Sequence, residues 1–206
     1  VLANVYSYSV FSLGIWYDEP EERALRAIEL ALKYGTNDPV IHGIVSKAYF
    51  SIGELARSRV HVDLSLHLNP HDVMVRMTHG ALLNYSGEHE AGLALFNEVL
   101  AQEPHLMPHS KEQKAECLFM LRRYADCLDM LETWDNPPPH TYAQIAACYA
   151  HLGQKENAAA AAETFRKLSW ERSDFERYAS NHARICLQQA DKENWLNGYR
   201  LAGLLP

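Results

Sequence analysis

The chain has 206 residues, of which 48% are hydrophobic and 22% charged, and this balance is typical of a folded globular protein. Its formal charge of -7 at pH 7 has the wrong sign for a partner with a phosphate backbone, so we expect no nucleic-acid binding by this segment. The sequence contains no run of about 18 uninterrupted apolar residues, so we expect no membrane span and no membrane partner.

The chain opens with an apolar stretch, residues 1–17, that lacks the basic flanks of a signal peptide or a membrane anchor. Four polar side chains interrupt this stretch: Asn4, Ser7, Ser9 and Ser12. We therefore interpret it as a packed helix. Because the first residue is Val1 and not a methionine, we expect the chain to be a piece of a longer protein.

Small residues recur about every 34 positions along the chain, in two parallel series. The first series consists of Ala24, Ser58, Gly92, Cys127 and Ala158. The second consists of Ser46, Gly80, Ala115 and Ala146. This period is typical of repeats made of two antiparallel helices, in which small side chains let the two backbones cross closely. Each pair buries too little apolar surface to be stable alone, so neighbouring pairs must stack into a solenoid.

Glycine and proline residues divide the chain into the same units. Gly53 and Gly87 follow apolar runs where helices end, and Pro39 follows an acidic residue where a helix begins. These signals predict five helix pairs, at residues 5–38, 39–72, 73–106, 107–139 and 140–170. We expect residues 171–206 to form C-terminal capping helices. Their side chains that would cover the last pair are Trp195, Leu196 and Tyr199. The predicted fold is an all-α, right-handed superhelix.

Two stretches resemble the tetratricopeptide repeat family, whose repeat reads W-x2-L-G-x2-Y, then A-x3-F, then P. Residues 142–149, followed by Gly153 and Ala158, resemble the first-helix pattern, and residues 80–104 resemble the second half of the repeat. The fourth pair departs from the pattern, because Arg122 stands where the family has a turn glycine. The resemblance covers residues 5–170 and implies a superhelix of helix pairs that binds a protein or peptide.

The tail carries a narrower resemblance. Residues 190–204 are similar to the closing helix, with an L-R-K-A-G-L-P type motif, that follows the repeats in bacterial class III adenylate/guanylate cyclases and some winged-helix regulators. Here Tyr199 and Leu201 replace the usual Leu and Lys. The resemblance implies the interaction or sensory module of a larger bacterial signalling protein in the cytoplasm. These residues contain neither a cyclase catalytic motif nor a winged-helix pattern.

Proteins of this family usually bind partners on the concave surface lined by the first helix of each pair. The side chains predicted to line that surface are Lys47, Phe50, Met77, Asn84, Tyr85, Glu112, Glu116, Phe119, Gln144 and His151. Its aromatic and methionine side chains suit an apolar peptide or helix, and its charged side chains would set the orientation of that ligand. One cation beside two carboxylates disfavours the capture of an acidic tail.

Two other functions fit the same sequence. In the first, Phe50, Tyr85, Phe119 and His151 line a closed pocket, and the chain is a small-molecule or peptide sensor. In the second, an outer face or an end of the solenoid makes a homo-oligomer. The size of a cavity between repeats and the mass of the protein in solution separate these readings from protein binding.

Linear motifs for chemistry are missing from the sequence. It has no phosphate-binding loop and no nucleophile elbow, and His89-Glu90 is followed at the expected second ligand position by Leu93. The four cysteines are Cys117, Cys127, Cys148 and Cys186, and they form no C-x-x-C pair. We interpret them as buried thiols in a reducing compartment. We expect no enzyme activity, no metal and no cofactor.

Overall fold

The structure is a computed structural model that describes residues 20–168 and 172–206. In these two ranges the chain forms eleven α-helices and one short 3-10 helix, Pro104–Leu106, and no strand. The α-helices are α1 (Pro20–Tyr34), α2 (Pro39–Ser51), α3 (Leu55–Leu68), α4 (Val73–Tyr85), α5 (His89–Gln102), α6 (Met107–Met120), α7 (Tyr124–Leu131), α8 (Pro139–His151), α9 (Lys155–Lys167), α10 (Arg172–Ile185) and α11 (Gln189–Leu201). The helix predicted for residues 1–17 lies outside the described residues.

Side-chain caps and left-handed turns fix where the helices begin and end. The carboxylates of Asp38 and Asp72 cap α2 and α4, accepting hydrogen bonds from Val40 N at 2.8 Å and Val75 N at 3.1 Å. Three of the α-α turns contain a glycine with positive φ, as at Gly87 with φ 91°. In the corresponding turn between α6 and α7, Arg122 adopts φ 59°, a left-handed conformation that strains a residue with a side chain.

The two series of small residues meet where the helices of each pair cross. Ser58 Oγ donates to Ser46 O at 2.9 Å between α2 and α3, and a Cβ on Gly92 would lie only 2.8 Å from Gly80 O between α4 and α5. Cys127 Sγ lies 3.3 Å from Ala115 O between α6 and α7. These contacts confirm that small side chains permit the close crossings.

The pairs stack so that α2 contacts α4, and α4 contacts α6, along one side of the molecule. One apolar core runs from α2 through α11, and a smaller cluster joins α1 to α2 through Ile28, Val45, Ala48 and Tyr49. Within the described ranges, each helix is too short or too polar to cross a membrane.

The two C-terminal helices extend further over the stack than expected. Helix α11 packs on α8, where Gly198 lies against Ala147 and His151. Helix α10 runs back towards the beginning of the stack, where Arg184 donates to Ile52 O at 3.1 Å and pairs with Glu21 of α1 at 3.2 Å. The tail therefore covers a series of repeats, and the expectation that it only covers the last pair was too narrow.

Candidate functional site

The candidate site is the side of the stack formed by α2, α4, α6 and α8, here called the inner wall. Helix α10 lies along it. Four large buried side chains of α10 contact the wall or the neighbouring helices, at the spacing i, i+3, i+7 and i+10. They are Phe175, Tyr178, His182 and Ile185. This spacing presents one face of a helix. The inner wall is thus occupied, over part of its area, by a helix of the same chain.

At the centre of this contact, His182 of α10 enters an aromatic and acidic site. Its ring stacks on Tyr85 on one side, with centroids 6.0 Å apart, and on Trp195 on the other, at 5.6 Å. His182 Nε2 lies 3.5 Å from a carboxylate oxygen of Glu116, and the Tyr85 hydroxyl donates to the other carboxylate oxygen at 3.2 Å. Burial, followed by the charge of Glu116, raises the pKa of Tyr85 well above its usual value. The tyrosine therefore stays a neutral donor.

A second contact joins Tyr178 of α10 to the wall. The Tyr178 ring lies 5.8 Å from the ring of His140, and His140 Nε2 makes a short ion-pair contact with Glu112. Burial alone lowers the pKa of His140, but the hydrogen bond to Glu112 and the charges of Glu112 and Glu116 outweigh it, so the pKa is raised. Glu112 and Glu116 thus give this stretch of the wall its negative charge.

Helix α11 covers the next stretch of the wall. The Trp195 ring stacks on Phe119 with centroids 4.3 Å apart. Asn194 donates to Phe119 O at 3.1 Å and accepts from the Tyr124 hydroxyl at 2.6 Å, so both ends of its amide are satisfied. The His151 ring stacks on Tyr124 with centroids 4.3 Å apart. Phe119 and His151 are therefore packed against protein rings.

The closed pocket considered as a sensor site is not seen at its predicted residues. Phe50 packs edge-on against Tyr85 at 5.3 Å, Tyr85 is covered by His182, and Phe119 is covered by Trp195. The space that these rings would line is filled by α10 and α11.

Three of the predicted groove residues lie between helices instead of on the wall surface, which corrects their predicted position. Met77 Sδ lies 3.9 Å from Ser110 Oγ, between α4 and α6. Asn84 Oδ1 lies 2.9 Å from His89 Nδ1 of α5. Gln144 Nε2 lies 3.7 Å from Cys127 Sγ of α7. Each is almost fully buried against a neighbouring helix of the stack.

One part of the wall stays open. The side chains of Val40, Ile44 and Lys47 on α2 face Met74 and Thr78 on α4 across a cleft of about 270 Å³. Val40 and Met74 are 55% and 52% exposed although both are apolar. Burial lowers the pKa of Lys47. Of the predicted groove residues, Lys47 is the one that lines this open cleft, and the binding role assigned to all ten stays a prediction.

The sequence reasoning missed the residues that fill the wall. Phe175, Tyr178, His182 and Ile185 carry a clear signal, since their spacing marks one apolar helix face, but periodicity alone does not say which surface that face covers. The residues of the wall that contact them, such as His140, were missed because the sequence does not distinguish a polar side chain that faces α10 from one that faces solvent.

The four cysteines are buried and free of disulfides. Burial raises the pKa of Cys186 to about 12, and it also raises the pKa of Cys117 and Cys148. These three are therefore protonated and unreactive near neutral pH. Within residues 20–168 and 172–206, no three histidine, cysteine, aspartate or glutamate side chains converge to hold a metal ion.

Several solved structures share this arrangement of helices. A tetratricopeptide repeat protein from Parabacteroides merdae is 19% identical, with a TM-score of 0.68 over 88% of this chain and 70% of that one. PilW, a widely conserved type IV pilus biogenesis factor, is 15% identical, with a TM-score of 0.66 over 93% of this chain and 90% of that one. The chain has the tetratricopeptide repeat fold. YrrB, a tetratricopeptide repeat protein with an unusual peptide-binding site, is 14% identical, with a TM-score of 0.53 over 85% and 95% of the two chains.

These likenesses confirm the predicted fold class. No protein-family model matches the sequence, and no curated protein matches it. At identities below 20%, the comparison extends to the fold and not to a binding partner. The resemblance of the tail to cyclases and winged-helix regulators stays a prediction.

Proposed function

We propose that the chain is a protein-binding scaffold whose inner wall holds a helical or extended segment of a partner. The observation that carries this proposal is that the wall holds a helix in the structure itself, since α10 packs its Tyr178, His182 and Ile185 face against successive repeats. YrrB shares the fold and has a peptide-binding site, which supports a peptide or protein as the ligand of this chain.

The open cleft is the place where we expect a partner to dock. It continues the stripe of α2 and α4 that carries Phe50 and Tyr85, so it adjoins the stretch that α10 covers. The exposed side chains of Val40 and Met74 suit an apolar anchor residue. Lys47 lines the same cleft.

We further propose that the scaffold is the interaction or sensory module of a larger bacterial signalling protein, such as a nucleotide cyclase or a transcription regulator. This rests on the similarity of residues 190–204 to the closing helix of those proteins. A cytoplasmic location and the lack of catalysis by this segment belong to the same proposal. The sequence of the whole gene product tests it, because an upstream cyclase or DNA-binding domain is expected.

Homo-oligomerisation is a second candidate, favoured by one observation. Val60, Leu64 and Leu68 are spaced by four residues on α3 and are all exposed, which gives this helix an apolar outer stripe. Sedimentation at micromolar concentration tests this candidate. A monomer at these concentrations rules it out, and a dimer that Leu64→Lys converts to a monomer supports it.

The main proposal is tested by two matched substitutions in apolar side chains of similar exposure. Met74→Glu places a charge in the cleft, and its position near the beginning of α4 keeps the substitution compatible with the helix. Val60→Glu makes the same change on α3, away from the cleft. The immobilised wild type and both variants are incubated with an extract of the source organism, and retained proteins are quantified by mass spectrometry.

We expect at least one retained protein to fall tenfold or more with Met74→Glu and to stay unchanged with Val60→Glu. Equal retention by all three proteins, or a loss confined to Val60→Glu, contradicts the proposed use of the inner wall. Circular dichroism shows that each variant keeps the helical content of the wild type.

A further inference from the structure

Helix α10 contacts the inner wall as a bound peptide would. Tyr178 and His182 meet the wall at His140 and Tyr85, and Ile185 lies beside the turn at Gly53. Phe175, on the same face of α10, packs against Phe165 of α9 and Tyr199 of α11. After the helix ends, Leu187 N donates to Tyr85 O at 2.8 Å, which satisfies a carbonyl at the end of α4. Aromatic anchors at i, i+3 and i+7 are the usual pattern of a helix lying in a protein groove.

The buried contact also contains polar side chains. Glu116 and His182 are both 3% exposed, and His182 Nε2 lies 3.5 Å from a carboxylate oxygen of Glu116, longer than a well-formed hydrogen bond. The indole Nε1 of Trp195, which covers His182, is buried without a hydrogen-bond acceptor among the described residues. Long polar contacts and unsatisfied buried donors add little stability, so we expect this interface to be less stable than an apolar contact of the same size.

We propose that α10 is an internal ligand of the inner wall and that the partner which replaces it is an amphipathic helix of the same pattern. This inference rests on the proposed function and specifies its ligand. The partner helix carries aromatic residues at the positions of Phe175 and Tyr178, a basic side chain at that of His182, and an aliphatic one at that of Ile185. The basic side chain pairs with Glu116, and the aromatic ones pack where α10 packs now.

An internal ligand competes at a high effective concentration, on the order of millimolar for a short connection. A free helix therefore binds the wild type poorly, and weakening α10 exposes the wall to it. Two substitutions weaken α10 at different points, Tyr178→Ala opposite His140 and Ile185→Ala beside the turn at Gly53. Ser180→Ala, at an exposed position of α10, is the matched control.

The test uses the full chain and a fluorescent synthetic peptide of residues 172–188 as the probe, with binding measured by anisotropy. We expect Tyr178→Ala and Ile185→Ala to bind the probe at least tenfold more tightly than the wild type and the Ser180→Ala variant do. A probe of scrambled sequence is expected not to bind, and a probe with His182→Ala is expected to bind at least threefold more weakly.

Failure of the probe to bind either folded variant, or equal binding of the scrambled probe, overturns the proposal. Two variants are used because one alone can lose its fold, which circular dichroism detects. If neither folds, the unlabelled peptide is added to the wild type at millimolar concentration, and unchanged hydrogen exchange in α10 then overturns the proposal. The probe is the protein's own sequence, so its binding is independent of the cellular partner tested with Met74→Glu.

Discussion

The two helices of the tail cover the same stack in different ways. Helix α11 approaches α8 closely, because Gly198 has no side chain to hold it away from Ala147 and His151, and its buried Asn194 has both ends of its amide satisfied. Helix α10 meets the wall through large aromatic side chains and through a polar contact of 3.5 Å between His182 and Glu116. The contact of α11 with α8 is of the same kind as the small-residue crossings inside each pair. The contact of α10 with the wall is of the kind that a bound helical ligand makes.

One chain can therefore contain both a permanent and an exchangeable contact. Where small residues let two helices pack closely, the many contacts depend on the exact shapes of both helices, so another helix does not easily replace one of them. A face of a few large anchors is reproduced by any helix that carries the same anchors at the same spacing. The tail then contributes α11 to the fold and α10 to the control of the binding surface.

Gly198→Leu is expected to have the largest effect, because a Cβ at this position would lie 2.9 Å from His151 Nε2 and 3.0 Å from Ala147 Cβ. The substitution forces α11 away from α8, and we expect a loss of about 2 to 3 kcal/mol in the free energy of unfolding. Urea unfolding followed by circular dichroism measures this loss. The exposed neighbour Asn197→Leu is the control and should change stability by less than about 0.5 kcal/mol. Equal effects at both positions would show that α11 is not closely packed.

The pair of His140 with Glu112, next to Tyr178, should change the stability by less than Gly198→Leu does, and its contribution should depend on pH. The pKa of His140 is raised in the folded protein above its usual value of 6.5, so its pair with Glu112 stabilises the fold below pH 6.5. That contribution is lost as the pH rises through the folded pKa. We expect the wild type to lose about 1 kcal/mol or less between pH 6 and pH 8 relative to His140→Gln, measured by thermal unfolding. Parallel pH profiles of the two proteins would contradict the pairing.

Arg122→Gly should produce the smallest change and is expected to stabilise the protein. Arg122 holds φ 59° in the turn between α6 and α7, where glycine adopts the same conformation without strain. We expect a gain of about 0.5 to 1 kcal/mol in global stability. Because this turn lies outside the tail, the gain should leave the opening of α10 unchanged. A loss of stability would mean that the hydrogen bond from Arg122 to Met120 O outweighs the backbone strain.

The stack was predictable from the sequence, and the position of α10 was not. Crossings such as Gly80 with Gly92 repeat at a fixed period, so they can be read from the sequence alone. The contact between His182 and Glu116 joins residues far apart in sequence, and no local pattern records it. For Asn84 and Gln144, the first-helix pattern identified the helix but assigned the wrong face, because a polar side chain satisfied by the partner helix resembles one that faces a groove.

Hydrogen exchange of the wild-type protein, resolved by segment, tests the contrast between α10 and α11 most directly. We expect the amides of α10 to exchange at least tenfold faster than those of α11 and α8, because α10 leaves the inner wall while the stack stays folded. Equal protection in α10, α11 and α8 would contradict it, since α10 would then open only when the whole protein unfolds.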